Sequence, residues 1–273
     1  VVLKFFFKSK LIYEPHELET ETIAKNNLKK LLAKCIEKIF INFFDHITVV
    51  SPSIAKWYEN SYRVNKPSVI INSRNYHIIK KKNYFRNKFK INKNKKIFLY
   101  SGNLNERGRG LHKVLNCFAK DNSKNNVVIF MGKGKLTSKI KKYSNFYENI
   151  FYHEPVLANK LHEYTSSADV GFCLYENNCL NQNYCLPNKL FEYISGGIPV
   201  VVSNNYEFRN FIRINKCGYI FKFDEDLNSF LNRLSFDKNF KFKKKNAKIA
   251  ALKYSWEFEE KKIMKIYKKI LKR

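Results

Sequence analysis

Short apolar runs alternate along the chain with stretches in which apolar residues recur every three to four positions. The first pattern predicts buried strands and the second amphipathic helices, so the chain reads as layered α/β. Leu11-Ile12-Tyr13 is a short strand running into Glu14-Pro15-His16-Glu17. Over 23–44, Leu28, Leu31, Leu32, Cys35, Ile36, Ile39 and Phe43 share one face, which predicts a helix with that stripe turned to a core. His46–Val50 reads as a strand. Ser51-Pro52 then supplies an N-cap and a first-turn proline for a helix running through Trp57, and Ser68–Ile71 is a further short strand.

Residues 73–95 are rich in Lys and read as a solvated connector, the expected domain boundary. Beyond it the alternation becomes regular. Strands are predicted at 96–100, 127–130, 150–152, 170–174 and 199–203, and helices near 111–119, 135–143, 160–166 and 187–195. Such alternation fits a doubly wound parallel sheet. A last helix follows Ser255, with Trp256, Ile263, Ile266, Tyr267 and Ile270 as its apolar stripe. No stretch of about 18 apolar residues occurs, so no membrane-spanning helix is expected.

With 44% hydrophobic residues in 273, the chain can build a packed core, which excludes a disordered basic tail protein. Its length fits two modest domains. Charge changes the picture more: 52 Lys and Arg against 23 Asp and Glu give +29. Residues 74–96 hold ten of the cations and no acid, and 236–273 hold fourteen with four acids. One reading is compositional, since Lys, Asn, Ile, Phe and Tyr are all plentiful. The other is attraction to an anionic partner: nucleic acid, an acidic membrane face or a phosphorylated acceptor. The six cysteines form no C-x-x-C pair or zinc-ligand spacing and read as free thiols in a reducing cytoplasm. The start, Val1-Val2-Leu3-Lys4, lacks an initiator Met and a signal-peptide cleavage site, so the chain reads as a fragment or a processed product.

In doubly wound sheets ligands bind outside the carboxyl ends of the strands. After strand 96–100 comes Ser101-Gly102-Asn103-Leu104-Asn105-Glu106-Arg107-Gly108-Arg109-Gly110. Its glycines permit tight turns and its arginines sit at a helix entrance, a phosphate-binding arrangement or a flexible solvated loop. Met131-Gly132-Lys133-Gly134 reads as a plain turn, and 175–186 as a long loop. The most informative stretch is Leu186-Pro187-Asn188-Lys189-Leu190-Phe191-Glu192-Tyr193-Ile194-Ser195-Gly196-Gly197. Lys189 and Glu192 lie three apart, on one helix face. A lysine in a first turn opposes the helix dipole, which is costly unless an anion sits there. Glu192 is placed to accept hydrogen bonds from a ribose diol, or to pair internally with Lys189.

Together, "YSGNLNERGRGL", "FMGKG", "SSADVGFCLYENN", "LPNKLFEYISGGIPVVVSN" and "YSWE" resemble the group 1 (family 4-like) retaining glycosyltransferases of the GT-B fold. "LIYEPHELETE", "DHITVVSPSIAKWY" and "VIINSRN" are similar to the second part of that family's N-terminal domain. The resemblance implies two Rossmann-like domains with parallel sheets facing a cleft, the N-terminal one incomplete. Expected boundaries are 1–80 for the partial acceptor-side domain, 81–95 for a basic connector, 96–254 for the nucleotide-sugar-binding domain and 255–273 for a helix crossing back. It implies Gly102 as the loop glycine, Arg109 and Lys189 as diphosphate ligands, Glu192 as the ribose ligand and His16 near the donor sugar. Asn103 stands where many members carry an Arg, with Arg107 as the substitute. The first of two glutamates common in the family is absent; Tyr184 stands there.

The implied activity is transfer of a sugar from a nucleotide-diphosphate donor to a glycan or lipid-linked acceptor, as in polysaccharide or lipopolysaccharide synthesis, with retention of configuration. Alternatives are an inactive nucleotide-sugar-binding fragment and a basic nucleic-acid-binding protein. No cofactor or metal is expected, since Asp224-Glu225-Asp226 reads as a solvated loop. The expected place is the cytoplasm, with the basic segments available to the inner membrane face.

Overall fold

The computed structural model describes residues 2–7, 9–22, 27–77, 80–105, 108–120 and 125–272. These form two parallel sheets, of three and six strands. The first unit comprises α1 (Val2–Phe7), β1 (Ile12–Tyr13), α2 (Asn27–Phe40), β2 (His46–Val49), α3 (Pro52–Tyr62) and β3 (Ser68–Val69), with strand order β1-β2-β3. In register, Ile12 faces His46 and Thr48 faces Ser68. α3 starts where expected: Ser51 is extended, its Oγ accepts the Ile54 amide at 3.2 Å, and Pro52 needs no amide donor.

The stripe expected to bury α2 is instead exposed. Leu28 is 76% and Ile39 63% exposed, and Leu31, Leu32, Cys35 and Ile36 are also on the surface. Phe43, just past the helix, is exposed as well. A polar residue on the opposite side decides the orientation. The Glu37 carboxylate accepts the hydroxyls of Tyr13 at 2.7 Å, Tyr58 at 2.6 Å and Tyr62 at 2.5 Å. These phenols belong to β1 and α3, so α2 is pinned by three charge-assisted hydrogen bonds rather than by leucine packing. Burial and the Glu37 charge push all three phenol pKa values up, which keeps them as donors.

The segment expected as a solvated connector contains α4 (Tyr84–Phe89). Phe85 and Ile91 are buried in the second unit's core. Arg86 and Lys81 bind Asp169 at 2.7 and 2.9 Å, and the same carboxylate accepts the Ile97 amide at 3.0 Å. Apolar residues scattered in a lysine run thus pack inward while the ammonium groups stay outside.

The second unit holds β4 (Lys96–Ser101), α5 (Leu111–Lys120), β5 (Asn126–Met131), α6 (Thr137–Phe146), β6 (Ile150–His153), α7 (Leu161–Thr165), β7 (Val170–Cys173), α8 (Leu180–Tyr184), α9 (Asn188–Ser195), β8 (Val200–Ser203), α10 (Tyr206–Asn215), β9 (Gly218–Phe221), α11 (Leu227–Ser235) and α12 (Phe240–Lys253). α13 (Trp256–Leu271) follows. Strand order is β6-β5-β4-β7-β8-β9, all parallel. Alternate strand residues feed two cores: Ile97, Leu99, Val127 and Ile129 on the α9, α10 and α12 side, and Phe98, Tyr100, Val128 and Phe130 on the α5 and α11 side. The chain moves outward one way from β4 and the other way from β7. The loops after these two strands therefore diverge and leave a crevice.

The two units are in contact at several points. α8, unforeseen in the loop 175–186, presents Asn181, whose Oδ1 accepts the Leu18 amide at 2.8 Å. Ser51 Oγ donates to the Tyr184 carbonyl at 2.6 Å, and Glu207 accepts the Ser53 amide at 2.7 Å. α13 returns to the first unit: buried Glu259 accepts the Ile71 amide at 3.1 Å, and the Trp256 amide donates to the Arg74 carbonyl at 2.9 Å. Among the described residues no helix is long and apolar enough to cross a membrane.

Replacing Glu37 with Ala removes the shared acceptor of three tyrosines. Urea unfolding should show a loss of about 2–4 kcal/mol, with Glu37→Gln losing less. A loss below about 1 kcal/mol would mean that α2 is held by something else.

Candidate active site

The crevice between β4 and β7 gathers the expected anion-binding groups. β4 ends in Ser101-Gly102. Gly102 adopts φ +101° and donates its amide to the Met131 carbonyl at 2.8 Å. Gly132 is more than a turn residue: a Cβ there would lie 1.9 Å from the Gly102 carbonyl oxygen, so the loops after β4 and β5 touch only because it has none. The Tyr193 hydroxyl, reaching up from α9, accepts the Ser101 amide at 2.9 Å and fixes the end of β4.

Lys189 is the second residue of α9 and is only 7% exposed. Its Nζ lies 3.9 Å from the Tyr100 ring centroid, and its stem runs beside Gly102. Among the described residues it forms no ion pair; in particular, the internal pair with Glu192 is not made. Burial pushes the Lys189 pKa down to about 8; Cys173 opposes this, Arg109 adds to it and Glu192 opposes it least. Arg109 stands over the Tyr175 ring at 5.5 Å, and its carbonyl accepts the Tyr100 hydroxyl at 3.1 Å. Tyr100 therefore carries the Lys189 ammonium on its ring face and holds the Arg109 backbone through its hydroxyl, while Tyr175 carries the Arg109 guanidinium. Buried Cys173 sits among Lys189, Arg109 and Glu192, and desolvation raises its thiol to about 12, so it stays neutral.

Two cations held near one another and close to a helix N-terminus make this part of the crevice electropositive, with no acid paired to Lys189 among the described residues. Glu192 lies one turn further along and is engaged by Arg74, which reaches across from the segment after β3. A cavity of about 410 Å³ adjoins this pair, lined by Asn75, His77, Asn159, His162 and Trp256. The His77 and His162 rings stack there at 4.1 Å.

Other expected residues are placed differently. Asn103 is exposed and turns back on its own loop, accepting the Asn105 amide at 3.0 Å. Arg107 lies outside the described residues. His16 follows β1 at the carboxyl end of the first sheet, where it lines a cavity of about 190 Å³ with Thr48, Asn72 and Trp256. No described contact joins it to Lys189 or Arg109. The acidic loop is structural: Asp226 caps α11 by accepting the Ser229 amide at 2.8 Å, and Glu225 pairs with Arg233. Sequence reasoning missed Arg74 and Tyr100. Arg74 carries no signal, since it is one cation in a long basic run; Tyr100 reads as an ordinary strand residue.

A family model described as glycosyl transferases group 1 matches residues 81–253. No curated protein matches the chain. Among solved structures the chain is similar to sucrose-phosphate synthase from Thermosynechococcus elongatus, with TM-score 0.79 and 15% identity over 99% of this chain and 70% of that one. It is similar to Anabaena Alr3699/HepE in complex with UDP, with TM-score 0.75 and 12% identity over 98% and 74%. It is also similar to WaaG, a glycosyltransferase involved in lipopolysaccharide biosynthesis, with TM-score 0.64 and 14% identity over 95% and 78%. The shared fold is GT-B, two units with parallel sheets.

The uncompensated Lys189 costs stability. Unfolded, it holds its proton to pH 10.5; folded, it sheds it near pH 8. Between these values the unfolded state binds more protons, so stability rises with pH. Lys189→Met should be more stable than the parent by about 1–3 kcal/mol at pH 7, a gap that closes between pH 8 and 10.5 in urea titrations. A less stable variant at pH 7, or a gap independent of pH, would contradict the unpaired charge.

Proposed function

The chain belongs to the group 1 glycosyl transferases, and from that premise we propose that it transfers a sugar, with retention of configuration, from a nucleoside-diphosphate donor bound in the β4–β7 crevice to a glycan or lipid-linked acceptor. The observation that carries this reading is the buried, unpaired Lys189 beside Arg109. As the bond from the sugar carbon to the diphosphate breaks, negative charge grows on the departing group. Fixed cations in a desolvated crevice stabilise that charge without reorganising, an effect worth several kcal/mol. In this reading the side-chain cations Lys189 and Arg109 supply the neutralisation.

Glu192 binds the ribose hydroxyls in this reading. Arg74 meanwhile compensates its charge, so donor entry must share or displace that contact. The adjoining cavity gives room for the nucleoside. The solved Anabaena neighbour holds UDP, which supports a uridine diphosphate sugar as the first donor class to test. His16, at the carboxyl end of the first sheet, stands on the acceptor side in this reading. The acceptor enters from the first unit in this reading, and the lysines of α13, which returns to that unit, would face an acidic membrane on the cytoplasmic side.

A panel of nucleoside-diphosphate sugars should include at least one that raises the melting temperature of the chain. Calorimetry with that donor should show Glu192→Ala binding about 10–100-fold more weakly. Unchanged affinity would remove Glu192 from the site. His16→Ala should lower kcat for transfer while leaving donor affinity within about twofold; equal kcat in the two proteins would deny His16 any part in the reaction.

A further inference from the structure

The first sheet has a second concavity, at the end opposite the crevice. It lies where β2 and β3 begin, at His46 and Ser68, beneath the turn carrying Arg63 and Lys66 and the far end of α13 with Lys265 and Lys269. Its volume is about 750 Å³, a size that suits a small ligand. Buried Ile47 and Ile270 contribute to its floor.

Its charge is one-sided. Arg63, Lys66, Lys265 and Lys269 form no ion pair among the described residues. Asp45, the acid in the lining, is already compensated: it accepts the Leu11 amide at 2.8 Å, binds Lys4 at 2.9 Å and lies 3.8 Å from Lys10. The Leu11 amide first, then Lys4, hold its carboxyl below the usual range, so it remains an occupied anion rather than a free partner. His46 donates to or accepts from Ser68 Oγ at 2.9 Å, and burial with the nearby Lys269 charge pushes its pKa down. Arg63 ends α3 with φ +55°, a left-handed conformation that ordinarily falls to glycine or asparagine. An arginine there keeps a cation at the rim at some conformational cost.

Four uncommitted cations around one concavity repel each other and strongly favour a multivalent anion. Arginine and lysine together suit phosphate, the former by its planar fork and the latter as a point charge. We propose that this groove is a second binding site, for a phosphate-bearing ligand of two or more negative charges, separate from the donor crevice. The same chemistry is offered by a soluble diphosphate compound and by the phosphate of an anionic phospholipid, whose apolar part would meet the isoleucine floor.

Inorganic diphosphate titrated by calorimetry into the full chain carrying Lys189→Met, which silences the crevice, should bind at one site and weaken as salt is raised. Adding Arg63→Gln and Lys269→Gln should lower that affinity at least about tenfold. Both substituted residues are exposed and removing them relieves repulsion, so the variant should melt no lower than its parent. With Lys189 intact, the same pair should leave UDP binding unchanged, which keeps a failure of this groove apart from a failure of the donor site. Sedimentation with phosphatidylcholine vesicles, with and without phosphatidylglycerol, separates the sources. Binding that needs the anionic lipid and is lost in the Arg63/Lys269 variant supports a lipid phosphate, and diphosphate binding without vesicle binding supports a soluble ligand. Absence of both, or equal affinity in the paired variant, would overturn the proposal.

Discussion

The structure turns on a positive charge that is buried with no counter-charge among the described residues. Lys189 opens α9 beneath the Tyr100 ring, where desolvation, the helix dipole and Arg109 all act against it. Such an arrangement is unfavourable by itself. It persists because the elements around it are over-determined: Tyr193 ties α9 to the end of β4, Gly132 admits the loop after β5 against Gly102, and the parallel sheet beneath is buried on both faces. The fold thus holds a buried cation whose charge a bound anion would offset. Its position at the reversal of strand order follows from topology, since the loops after β4 and β7 leave in opposite directions.

Glu192 and Arg74 extend this logic across the two units. A carboxylate one turn into α9 is met by an arginine from the segment after β3, and that segment is itself clamped by α13 through Glu259 and Trp256. The Glu192 carboxylate is therefore tied to how the two units meet, and so would be a ligand bound there in the proposed reading. Glu207 capping α3 and Asn181 holding Leu18 add polar contacts of the same kind. These polar contacts stand beside apolar ones: Ile71 and Val69 pack into the second unit's core, and Leu180 and Tyr184 of α8 pack against the first unit's.

Much of the second unit was legible because its strands are apolar runs and its helices are striped. The burial of Lys189 was signalled by a lysine in a first turn, a break of a local rule that the proposed function uses. What escaped had no local signal. α12 buries only the small residues Ala247, Ala250 and Ala251 among its lysines, so a hydrophobic pattern shows no packing face. Phe85 was hidden within a basic run. The α2 stripe misled, because periodicity locates an apolar face but says nothing of what faces it; Glu37 and three distant tyrosines chose the other side. The net charge of +29 likewise resolves into unlike parts: two cations in the crevice, one on Glu192, a cluster on Asp169 and a groove beyond β2 and β3.

The central claim is that Lys189 is a buried cation waiting for a diphosphate. Its Cε resonance can be followed by NMR in protein labelled at lysine and assigned with Lys189→Met, titrated with pH in the absence and presence of UDP. Titration near pH 8 in the free protein, moving upward by more than about one unit when UDP is bound, is the expected result. An ordinary lysine titration in the free protein, or a midpoint that UDP does not move, would contradict it.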